Sequence, residues 1–174
     1  MRESPTHGHR QDATLGGVLG LLFGAWNTIA AQITPLADDT PAALLTLYGP
    51  MFTAWAIAGF LAVRRTGRLA DGPRTGGLVG FVTFLVLTAI VIARVNLFLD
   101  VTTQRPDWQN LMARYQTSGF GSLRRFANYV YITGAPFKLF VATAIGAVVG
   151  FAGGCVGLTS AGTRPGSAVD DVAP

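Results

Sequence analysis

Four apolar runs constrain this chain more than any other feature. Thr14–Thr34, Pro41–Val63, Gly77–Leu99 and Ala135–Leu158 each match the ~20 residues that carry a helix across a hydrocarbon core. Lipid offers backbone polar groups no hydrogen bonds, so a lone apolar run that enters it must be helical. Only 13% of the 174 residues are charged and 50% are hydrophobic, whereas a soluble domain carries about 25% charged residues. The expected fold class is therefore all-α, an integral membrane bundle of four transmembrane helices (14–34, 41–63, 77–99 and 135–158) with an amphipathic interfacial segment. Cys155, inside the fourth run, is the single cysteine, so no internal disulfide can form.

The connections set the expected topology. Pro35–Thr40 carries Asp38 and Asp39 and no basic residue, whereas "RRTGRLADGPRTG" carries Arg64, Arg65, Arg68 and Arg74. Short basic connections stay cytoplasmic, so both termini are expected inside a bacterial inner (plasma) membrane. Residues 1–13 then form a cytoplasmic tail, and the Gly-, Ser-, Ala- and Pro-rich stretch 159–174 a disordered one. The competing reading of the first run is a cleavable signal peptide, for which its apolar core is long against the usual 7–15 residues. The net charge of +4 comes from arginines beside the spans, which points to lipid headgroups and not to nucleic acid.

Between the third and fourth runs, Trp108, Leu111, Met112 and Tyr115 recur at helical spacing, as do Leu123, Phe126, Ala127 and Val130. Arg114, Arg124 and Arg125 fall off those stripes. The pattern predicts an external amphipathic segment over 107–131, one or two helices lying on the outer membrane surface.

Two basic residues lie within the runs. Lys138 belongs to a helix entering from outside, so its side chain tilts outward and is expected to snorkel to the outer interface. Arg94 sits five residues before the outer end of its run, about 8 Å deep, and its Cα–Cβ bond tilts inward. Such an arginine normally faces a partner or a wet cavity. Asp38, Asp39, Gln32, Tyr48 and Thr46 are the expected partners, and Arg94 is read either as a bundle anchor or as a ligand-binding group. Glycine stripes are the other signal: Gly16, Gly20 and Gly24 in the first run, Gly146, Gly150 and Gly154 in the fourth. Small residues every four positions let helix backbones approach closely. Aligned antiparallel, Gly16 meets Gly154, Gly20 meets Gly150 and Gly24 meets Gly146. The same register brings Asn27 opposite Thr143, close enough to hydrogen-bond.

No Asp or Glu lies inside a run, so a carboxylate relay of the kind used by ion-coupled transporters is missing. His7 and His9 lack further ligands, and Cys155 sits among Gly and Val with no base. No catalytic residue, metal ligand or cofactor is expected. Four spans, a basic second connection, "RPDW" (Arg105–Trp108) opening an amphipathic segment and a glycine-rich last span together form a distinctive order. That order resembles bacterial four-helix inner-membrane families of undefined function. The resemblance covers residues 14–158 in organisation and implies a membrane setting without a catalytic motif. The expected partners are membrane lipids and either further copies of the chain or another membrane protein. Two functions fit: a non-enzymatic membrane subunit or scaffold, or a small oligomeric transporter or lipid-handling protein that recognises an anionic group through Arg94.

Overall fold

The computed structural model of the protein describes residues 5–33, 41–105 and 108–161. Every regular element among them is helical: α1 (Pro5–Ile33), α2 (Pro41–Thr66), α3 (Asp71–Leu97), the single turn α4 (Leu99–Thr102), α5 (Gln109–Gln116) and α6 (Leu123–Ala161). Among the described residues, three stretches are long and apolar enough to cross a membrane: Gln11–Ala30 in α1, Asp71–Leu97 in α3 and Leu123–Ser160 in α6.

The helices overrun the apolar runs. α1 takes in residues 5–13 of the expected first tail, and α6 takes in 159–161 of the expected second. The rest of both tails lies outside the described residues. α3 begins at Asp71 and not at Gly77, so part of the basic connection belongs to it. That leaves a tight turn: α2 ends at Thr66 and is followed by Gly67, whose φ of 70° only glycine adopts freely. Its N–H donates to Val63 O at 2.7 Å, which closes the helix before α3 starts.

The segment 107–131 departs most from expectation. Its second half is no separate surface helix, because α6 runs unbroken from Leu123 through Pro136 to Ala161. Its first half contains only the eight-residue α5. The apolar positions turn onto the ends of α3 and α6. Trp108 is buried with Val95 of α3 and Ala127 of α6, and the Tyr115 ring lies 5.8 Å from that of Phe126. This apolar cap holds residues 123–131 in the same helix as the run below. It overrides the stop signal carried by "TGAP" (133–136).

α3 is the hub, with α1, α2 and α6 packed around it. α1 runs parallel to α3, with Asp12 beside Thr75 and Asn27 beside Arg94. α6 runs antiparallel to α3, with Gly72 facing Gly150, Gly76 facing Gly146 and Gly80 facing Ala142. Trp55 and Met51 of α2, both fully buried, fill the space beside Val79 and Ala142. Elsewhere large apolar side chains point outward, among them Leu22, Trp26, Leu45, Phe137, Phe140 and Val148.

Candidate functional site

The glycine stripes do not pair with each other. Gly16, Gly20 and Gly24 form a groove in α1 that receives branched side chains of α3. A Cβ on Gly16 would lie 2.8 Å from Val82 Cβ, and one on Gly20 would lie 2.7 Å from Val86 Cβ. Gly24 meets Ile90 in the same way. Gly146, Gly150 and Gly154 face a third stripe, Gly72, Gly76 and Gly80 of α3, together with Val63 of α2. Backbone lies against backbone there: a Cβ on Gly150 would be 2.5 Å from Gly72 O. A stripe identifies a face without naming the helix it meets. The α3 stripe was obscured because it begins inside the basic connection.

Polar groups fasten both ends of the α1–α3 interface. At one end Thr75 Oγ1 donates to Asp12 Oδ2 at 3.3 Å. At the other, Arg94 Nη1 donates to Asn27 Oδ1 at 2.7 Å. Arg94 is only 7% exposed. Asn27 continues the Gly16–Gly20–Gly24 face by one turn, but its partner is Arg94 and not Thr143. The Thr143 hydroxyl donates instead to Leu139 O of its own helix. Among the residues expected to meet Arg94, Asp38, Asp39 and the Gln32 side chain lie outside the described residues. Thr46 is exposed and donates to Ala42 O.

Sequence reasoning missed a second polar clamp. Asn96 and Asn128 exchange hydrogen bonds in both directions, at 2.9 and 3.0 Å, and tie α3 to α6 below the Trp108 cap. Each carboxamide donates through its Nδ2 and accepts through its Oδ1, so the pair satisfies itself. Asn128 lay hidden in the stretch read as surface helix.

Lys138 starts deep in the bundle and its side chain runs along α6 toward the Trp108-capped end. Gly80 faces Ala142, so the backbone of Lys138, one turn nearer the start of α6, is level with that of Phe84 of α3. Phe84 is the midpoint of Asp71–Leu97, about 20 Å from either end. The Lys138 ammonium stacks on the Tyr131 ring, 5.1 Å from its centroid. Lys138 also lines a cavity of about 530 Å³ between α2, Phe84 of α3 and the Phe137, Val141, Ala142 and Ile145 side of α6, with Tyr48, Phe52 and Trp55 on the α2 wall. The origin of this cavity is geometric. α2 and α6 touch where Ala56 meets Gly153, Gly59 meets Gly150 and Phe60 meets Gly157. Toward the Trp108-capped end from that contact the side chains are large and the two helices part.

Chemically, Arg94 and the asparagine pair hold helices together, and the cleft has the size and apolar character of a ligand pocket. No group of metal-binding side chains occurs among the described residues. Comparison with protein-family models, curated proteins and solved structures finds no match to this chain.

Proposed function

We propose that this protein is a four-span component of a bacterial inner membrane, with both termini and the Arg64–Arg74 connection cytoplasmic, and that it serves as a non-enzymatic subunit or scaffold. The observation that carries this reading is the inverted placement of side-chain size. Glycines form the tightest helix contacts, while leucine, phenylalanine, isoleucine and tryptophan cover the outside. Lipid removes the penalty for an apolar exterior and rewards close helix approach through small residues. α2 supplies the fourth span. It has 26 residues, packs lengthwise against α3 and α6 and presents Leu45, Ile57 and Leu61 outward.

Arg94 is engaged with Asn27 and buried, which favours the anchor role over anion recognition. A rigid bundle with an apolar exterior suits assembly with a second membrane chain or with further copies. Purification from native membranes in mild detergent tests this. A stoichiometric membrane partner or a defined oligomer is expected; a monomer without partners would contradict the scaffold role.

A further inference from the structure

We propose that one face of α6 binds an anionic phospholipid of the leaflet at the Trp108-capped end, with the lipid phosphate on Arg125. This rests on the membrane embedding proposed above, not on the scaffold role. Order along the helix is the first argument. Arg125, Tyr129, Ile132, Pro136 and Phe140 are all exposed and, at about 100° per residue, fall within about 80° of one another. A cation, a phenol ring and three apolar side chains thus follow in turn down one face. From Arg125 to Phe140 is about 22 Å, half of the ~40–45 Å of a bilayer with its headgroups. The stripe has the length and the polarity order of one lipid standing beside α6.

Level is the second argument. Gly72, Gly76 and Gly80 of α3 face Gly150, Gly146 and Ala142 of α6. The same register, continued past the Asn96–Asn128 pair, sets the backbone of Arg125 about level with that of Leu97, where the apolar stretch of α3 ends. Arg125 therefore stands at the edge of the hydrocarbon, where lipid phosphates lie. Tyr129 is one turn deeper and 55% exposed, and the Phe120 ring braces its ring at 5.5 Å. Exposed tyrosines are enriched at this membrane–water boundary.

Charge is the third argument. Arg114, Arg124 and Arg125 are exposed and pair with no carboxylate among the described residues. Over 99–134, four arginines stand against two aspartates, Asp100 and Asp107. In the topology proposed above this end is outside, and positive charge beside a span opposes that placement. Topology gives no reason for these arginines, whereas an anionic headgroup does. A guanidinium meets phosphate through two parallel N–H donors. An acidic protein would engage the arginines alone; a phospholipid also covers the apolar positions deeper than Arg125.

The test uses the full chain in nanodiscs of phosphatidylcholine and phosphatidylglycerol in equal parts. One lipid or the other carries a photoactivatable diazirine on an acyl chain, and labelled residues are mapped by mass spectrometry. Phosphatidylglycerol should label 129–140 about fivefold more than phosphatidylcholine does, the effect of one arginine beside an anionic headgroup. Leu21, Phe81 and Val148, exposed on other faces, should show no such preference. Arg125→Gln should abolish the preference at 129–140, and Arg125→Lys should keep part of it. Arg64→Gln, at an exposed arginine of the opposite end, should leave it unchanged. Equal labelling of 129–140 by the two lipids, the same preference at every exposed position, or a preference that survives Arg125→Gln would each overturn the proposal. Displacement by glycerol 3-phosphate or by polyglutamate would mark a site for a soluble phosphate or an acidic protein and overturn it as well. If Arg125→Gln does not reconstitute, the two-lipid comparison on the unaltered chain decides the matter. A chain that fails to enter nanodiscs would contradict the membrane embedding instead.

Discussion

Gly76 is where one methyl group should do the most harm. A Cβ there would collide with Gly146 O and lie 2.7 Å from Gly150 Cα. Carbon atoms pack best at about 3.5–4.0 Å, so α3 and α6 must separate by roughly 1 Å. A gap of that size forfeits a quarter to a half of each dispersion contact along the seam. Overpacking of this kind costs about 1–3 kcal/mol, and the higher helix propensity of alanine returns at most about 1 kcal/mol. Gly76→Ala should therefore destabilise the bundle by about 1–2 kcal/mol. Gly17 is the matched control, since a Cβ there meets nothing within 4 Å, and Gly17→Ala should be neutral or slightly stabilising. Reversible unfolding in mixed micelles, followed by circular dichroism against the denaturing detergent fraction, measures both. If the two variants agree within about 0.5 kcal/mol, the close α3–α6 contact is refuted.

Three further outcomes follow from the polar clamps and the helix order. A double-mutant cycle over Arg94→Leu and Asn27→Leu should give a coupling of about 0.6–2 kcal/mol in the same unfolding assay; zero coupling would mean that the 2.7 Å bond does not anchor α1. Asn96→Leu alone should destabilise by about 1–3 kcal/mol, because Asn128 is left unsatisfied, and adding Asn128→Leu should recover much of that loss. With Cys155 replaced, oxidation should cross-link cysteines at Gly24 and Ile90 within one chain and fail to join Gly24 to Gly146; the reverse pattern would restore the pairing of the first and last helices.

How much of this was legible in the sequence differs by feature. Hydropathy locates the helices, because lipid leaves an apolar run no other conformation. It cannot locate their ends, which depend on caps made elsewhere. Leu123–Gly134 joins α6 where Trp108 and Val95 cover Ala127, a long-range contact without local signature. Asn27 was placed on the correct face by its spacing from Gly24, and the burial of Arg94 followed from its depth. Their union was missed because acidic residues nearer the span ends looked like stronger partners. The register that set Asn27 opposite Thr143 was self-consistent, yet any two antiparallel stripes of equal period admit one. Lys138 starts deeper than the fourth run alone implied, because α6 extends above it to Leu123, and its ammonium lies toward that end over the Tyr131 ring.

Topology mapping tests the central claim of a four-span membrane chain most directly. Paired periplasmic and cytoplasmic reporters fused after residues 39, 72, 105 and 161 should read outside, inside, outside and inside in turn. A periplasmic signal at residue 72, or matching signals at 39 and 72, would remove α2 as a span and contradict the four-helix membrane bundle.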